Sequence, residues 1–244
     1  MTRGIPFAGV PDDDWRSRAA DVIPGGSSTG SRRPDALYGA RAFDAAVPTH
    51  YERAEGCVLW TPDGRRFIDT GMALGAVGIG YADAAVTRAV VIAASNGSVS
   101  ALPHRLEVEV AEHLVQVIPS AEQVRFLRTG AEANAAAIRL ARALTGRDHV
   151  LACGYFGWLD WCSDTAGVPA AVRADITWVP FDDIEALELA ASRLPGPPAA
   201  IVIEPLVHDI ASVAWLESAR RVADRTGAVL IFDEVKTAFR VRTG

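Results

Sequence analysis

From about residue 82 the sequence alternates between helical spacing and short apolar runs. Asp83 precedes Val86, Val90 and Ala94, a helical spacing with a cap in front of it. Leu106, Val110, Leu114 and Val117 form a helical stripe closed by Pro119. Strands are predicted at Val124–Leu127, His149–Cys153, Ile176–Val179, Ala200–Ile203 and Ala228–Phe232. Helices fit between several of them, at Glu132–Leu144, Ile184–Leu194 and Leu216–Thr226, with Gly227 suited to close the last. Short apolar strands separated by helices predict an α/β fold, a sheet covered on both faces.

The first fifty residues carry punctuation and little periodicity. Pro24-Gly25-Gly26-Ser27-Ser28-Thr29-Gly30-Ser31 is turn-rich, and Arg32 and Arg33 follow it directly. A hairpin is predicted where Cys57–Trp60 and Arg66–Asp69 flank Pro62-Asp63-Gly64, because proline presets φ and glycine accepts a positive one. The formal charge of −6 argues against nucleic-acid and anionic-membrane partners. No apolar run of about 18 residues escapes a charge, so no transmembrane helix is expected. Met1–Pro6 lacks an apolar signal core. Cys57, Cys153 and Cys162 are odd in number and form no CxxC pair, which reads as a reducing cytoplasm with no metal site. Of the 24 basic side chains only Lys236 is a lysine.

Several short blocks carry chemistry. In Leu127-Arg128-Thr129-Gly130-Ala131-Glu132-Ala133-Asn134 a strand is followed by a glycine turn and a helix start. The first N–H groups of such a helix form an anion site, although a plain strand-to-helix connection has the same pattern. Tyr155, Phe156, Trp158 and Trp161 fall just beyond a strand end, where open α/β sheets bind ligands. They suit stacking on a planar heterocycle, and equally core or interface packing. Ile231-Phe232-Asp233-Glu234-Val235 places carboxylates at the end of a buried strand. A solvated strand end would explain them, and so would a partner that keeps a pyridine nitrogen protonated. Ile203-Glu204-Pro205 repeats the theme.

Taken in order, these blocks resemble the class III aminotransferases, pyridoxal-phosphate enzymes of fold type I, in the branch of glutamate-1-semialdehyde 2,1-aminomutase. The resemblance spans about residues 20–244. It implies a three-layer sandwich with a mostly parallel sheet. Residues 1–70 would be an N-terminal segment and the hairpin of a small domain, and 71–244 an incomplete large domain. It implies that Gly130 and Ala131 bind the cofactor phosphate, that Tyr155 and Val235 lie on the two ring faces, and that Phe156 neighbours the ring. Asp233 would pair with the pyridine nitrogen and Glu204 would order the polar network. Arg32, with Arg33 as competitor, would take a substrate carboxylate. The substrate would be a small amino acid or amino-ketone, and the assembly a cytoplasmic homodimer.

The sequence departs from the family pattern in places. Ala131 stands where a Ser or Thr is usual, Phe156 where a His is usual, and His208-Asp209 where Gly-Asn is frequent. The family's Schiff-base lysine lies well beyond the strand-end aspartate, whereas this sequence ends eleven residues after Asp233. Strand alternation would put Lys236 on the face opposite Asp233 and Val235, so it is not expected to substitute. The chain is therefore expected to be a truncated form, inactive alone or awaiting a complementing C-terminal fragment. The alternatives are half of a split enzyme and a non-catalytic cofactor- or partner-binding module.

Overall fold

Punctuation without periodicity gives short pieces of structure in the N-terminal part. The computed structural model describes residues 9, 11–42, 44, 46–97 and 99–244, which divide into two units, Met1–Ala101 and Leu102–Gly244. In the first, α1 (Asp12–Val22) is a helix the sequence pattern does not announce. Asp12 is buried, and its carboxylate accepts from the Thr49 N–H and hydroxyl and the His50 N–H at 3.0, 2.8 and 3.1 Å. That one carboxylate ties the helix start to a segment 37 residues away. Pro24–Gly26 and Gly30–Arg32 are 3₁₀ turns, followed by α2 (Pro34–Tyr38). The hairpin forms as the turn chemistry requires. Arg53–Glu55 is β1, Val58–Trp60 is β2 and Arg66–Ile68 is β3. The β2–β3 pair is antiparallel around Gly64 at φ 86°, and β1 adds an unanticipated third strand beside β2. Helix α3 (Ala84–Ser95) starts at Asp83, which accepts from the Ala85 and Val86 N–H groups.

The second unit opens with α4 (Arg105–Val117), whose apolar stripe forms as a helix but buries no residue. Val124–Leu127 is not a strand: it pairs with nothing among the described residues. An apolar run creates a strand only where a partner edge meets it, and that is not a local property. The remaining elements alternate as predicted, with α6 as an unanticipated addition: α5 (Gly130–Thr145), β4 (Val150–Cys153), α6 (Ala170–Arg173), β5 (Ile176–Trp178), α7 (Ile184–Arg193), β6 (Ala200–Ile203), α8 (Val213–Thr226) and β7 (Val229–Phe232). The four strands are parallel in the order β5-β4-β6-β7.

Strands β4 and β6 are buried along their whole length, and strand alternation sorts their side chains into two cores. Leu151, Cys153, Ile201 and Ile203 pack with Leu187 of α7 and Trp215 and Val222 of α8. Val150, Ala152, Ala200 and Val202 pack with Ile138 and Ala141 of α5. Helix, sheet and helix form three layers. Caps fix the helices: Ser212 Oγ accepts the Trp215 N–H at 3.2 Å, and Gly227 closes α8 at φ 67°.

Candidate functional site

Parallel strands in register bring the residues that follow them to one edge. The ladder runs through to the first of these, with the Glu204 N–H donating to Cys153 O at 2.9 Å and the Asp233 N–H to Ile203 O at 2.8 Å. Tyr155, Glu204 and Asp233 therefore stand at the carboxyl ends of β4, β6 and β7, where α/β sheets gather ligands.

Helix α5 starts at this edge. Thr129 Oγ1 accepts the Glu132 N–H at 3.1 Å, and Glu132 Oε2 accepts the Arg128 N–H at 3.0 Å. This cap leaves the Gly130 and Ala131 N–H groups without an acceptor among the described residues. Two free donors at the positive end of a four-turn helix make a seat for an anion. A Cβ on Gly130 would lie 2.8 Å from Val235 Cγ2, so the glycine lets the Val235 side chain lie close against the helix start.

Asp233 is buried. Its Oδ2 accepts from Asn134 Nδ2 at 2.6 Å and its Oδ1 from the Val235 N–H at 2.9 Å. Asn134 Nδ2 also donates to Gly130 O at 3.0 Å, joining the first turn of α5 to the end of β7. Among the described residues Asp233 makes no ion pair. Neutral donors thus fix its orientation and leave its charge uncompensated.

Glu204 is buried at 3% exposure and differently held. Its Oε2 accepts the Tyr155 N–H at 2.8 Å, and its Oε1 lies 2.9 Å from Lys236 Nζ. Gly154, at φ 138°, has no room for a side chain, since a Cβ would lie 2.8 Å from Glu204 Cβ and Cγ. Burial first, and the Glu204 charge second, push the neighbouring Cys153 thiol up to about 11, so it stays protonated and unreactive near neutral pH.

Tyr155 and Val235 are open to solvent at this edge, at 68% and 60% exposure. The Ala131 methyl abuts Gly157, where any Cβ would overlap it. Phe156 lies elsewhere, in the α5-facing core, its ring stacked with Trp161 and Trp178 at 5.7 and 6.1 Å. Asp209 accepts the Ile210 N–H at 2.8 Å, an acceptor's role. Lys236 is not on a strand, because β7 stops at Phe232 and residues 235–237 turn. The alternation argument therefore does not govern it. In the N-terminal unit, Arg32 lines a cleft of about 580 Å³ with Arg16, Gly25, Gly26 and His50, while the Arg33 guanidinium covers Gly25.

Two residues emerge from the geometry that the motifs leave unassigned. Asn134 shares the buried stripe of α5 with Ile138 and Ala141, and a polar residue on an apolar stripe is the signal that marks it. Lys236 has no such local signal. The donor set as a whole (an anion seat, exposed flat and branched side chains, and an uncompensated carboxylate) fits a planar heterocycle with a phosphate and a basic ring nitrogen.

The chain as a whole is similar to known proteins. The chain is 37% identical to a glutamate-1-semialdehyde 2,1-aminomutase of Roseiflexus castenholzii, over 93% of this chain and 55% of that protein. Its structure matches the FumI protein of Sphingopyxis sp. MTA144, solved in its PLP internal aldimine form, with a TM-score of 0.87 and 30% identity over 95% of this chain and 56% of that one. An omega-transaminase from Sphaerobacter thermophilus matches with a TM-score of 0.83 and 30% identity, over 94% and 56%. The chain thus spans about half the length of these relatives. A sequence model of aminotransferase class-III matches residues 39–244. With most of its length accounted for in this way, the chain belongs to the class-III aminotransferase family.

Proposed function

We propose that these residues form a pyridoxal-phosphate site serving amino transfer or 1,2-amino migration on a small amino acid or amino-ketone. The observation that carries the reading is Asp233, a buried carboxylate oriented by neutral donors beside the open N–H groups of α5. The relatives' names support the reaction class and the cofactor.

Pyridoxal phosphate, when bound, supplies an electron sink for a substrate amine. The Gly130 and Ala131 N–H groups receive its phosphate. Tyr155 and Val235 confine the ring faces and exclude water from them. Asp233 holds a proton at the ring nitrogen, because an anion there favours the charged form of its partner. Asn134 keeps the carboxylate aimed, and Glu204 keeps Tyr155 in place through its N–H. Arg32, on the N-terminal unit, is the proposed receiver of a substrate carboxylate. Lys236 is the single lysine of the 244 residues and is paired with Glu204, so this chain's own residues bind the cofactor without a covalent bond. The complete activity is proposed for a homodimer of the full-length family protein, in the cytoplasm, since this chain spans about half the length of its relatives. No helix among the described residues is long and apolar enough to cross a membrane.

Titration of the purified chain with pyridoxal phosphate, read by absorbance and tryptophan quenching, tests this. Saturable binding that Asp233→Ala abolishes or strongly weakens is expected. Binding indifferent to that change, or no saturable binding, would contradict the reading.

A further inference from the structure

The only lysine in the sequence sits beside the proposed site, paired with a buried carboxylate. Its ammonium lies 2.9 Å from Glu204 Oε1 and 3.5 Å from the Leu206 carbonyl oxygen. The lysine side chain is 38% exposed, while the carboxylate is almost wholly buried. The second oxygen of the same carboxylate accepts the Tyr155 N–H at 2.8 Å. One buried charge therefore links three loops: that after β4 through Tyr155, that after β6 through Glu204 itself, and that after β7 through Lys236. Gly154 makes the link possible, because any side chain there would strike Glu204.

We propose that Lys236 is a positioning residue whose cation locks Glu204, and that Glu204 in turn holds the Tyr155 backbone where its ring can cover the cofactor. The consequence for binding rests on the pyridoxal-phosphate reading; the lock itself does not. A buried carboxylate with a single N–H donor is poorly compensated. With the cation removed it relieves that state by moving toward water, which loosens its hold on Tyr155. Lys236 supplies the missing charge from the solvent side, where its own desolvation is small. An amine engaged with Glu204 Oε1 and the Leu206 carbonyl oxygen is not free to attack an aldehyde. The lock and the covalent role are therefore mutually exclusive uses of the same amine.

The test compares the purified chain with Lys236→Met, Lys236→Arg and the double variant Lys236→Met, Glu204→Gln. The first readout needs no cofactor: hydrogen exchange at the Tyr155 amide, followed by NMR. Exchange is expected to be about tenfold faster in Lys236→Met. It should stay near the parent rate in Lys236→Arg, and return toward it in the double variant, whose neutral amide can still accept the Tyr155 N–H. The second readout is the pyridoxal-phosphate dissociation constant, expected to rise in the same order. The third is borohydride treatment and peptide mass analysis, expected to find no adduct at Lys236. Unchanged Tyr155 exchange in a folded Lys236→Met variant would overturn the lock, as would a reduced adduct on Lys236. Failure of the parent chain to bind cofactor would instead count against the proposed function, with the exchange data still judging the lock.

Discussion

Two carboxylates stand at the ends of neighbouring strands, and they are used in opposite ways. Glu204, after β6, has a cation on one oxygen and the Tyr155 N–H on the other. Asp233, after β7, has the Asn134 amide on one oxygen and the Val235 N–H on the other, with no cation among the described residues. Both are buried, so both were taken out of water at a cost. The cost at Glu204 is offset inside the protein, and the result is a tie between loops. At Asp233 it is offset only partly, and the remaining negative charge is available to a cationic partner. An unbalanced buried charge at a ligand-gathering edge is a mark of a binding group; a balanced one is a mark of architecture.

The contrast breaks first at Asp233. Asp233→Ala is expected to weaken pyridoxal-phosphate binding by roughly a hundredfold, about 3 kcal/mol, the range of a charge-assisted hydrogen bond. Its unfolding midpoint should move far less, because the lost group had no ion pair to break. Calorimetric titration and thermal melts on the same preparations separate these two effects.

Glu204→Ala should show the reverse pattern. Stability is expected to fall by about 2 kcal/mol, below the usual range for a broken buried pair because Lys236 is partly solvated, and binding should fall less than in Asp233→Ala. Denaturant unfolding followed by circular dichroism measures it. A smaller effect, about 1.5 kcal/mol, is expected for Gly154→Ala, which imposes a strained φ and pushes on the Glu204 side chain without removing a charge. Asn134→Ala is the mildest change. It should cost about 1 kcal/mol of stability and only a few-fold in affinity, since Asp233 keeps its charge and the Val235 N–H.

How far the sequence announces this arrangement differs from residue to residue. Ala200–Ile203 is readable as a buried strand because a short, wholly apolar run between turn signals has few other uses. Asp83, Gly227 and the hairpin turn are readable because caps and turns are local chemistry. Val124–Leu127 has the same apolar character as the true strands and pairs with none of them, since a ladder needs a partner distant in sequence. β1, with Arg53 and Glu55 at its ends, forms because β2 offers it an edge, not because its own residues favour a strand. At the site, Asp233 and Glu204 stand out as carboxylates ending apolar runs. Phe156 shows the opposite limit: aromatics just beyond a strand end suit ligand stacking and core packing equally, and this ring goes to the core. Lys236 depends on where β7 stops. Its place beside Glu204 comes from the turn at 235–237, and nothing in the local sequence sets where the strand ends.

The most direct test of the central claim is the ¹⁵N chemical shift of the pyridine nitrogen in labelled pyridoxal phosphate bound to this chain. The uncompensated Asp233 charge predicts a protonated nitrogen near neutral pH in the parent chain and an unprotonated one in Asp233→Ala. A nitrogen already unprotonated in the parent, or protonated equally in both, would contradict the assignment of Asp233 as its partner.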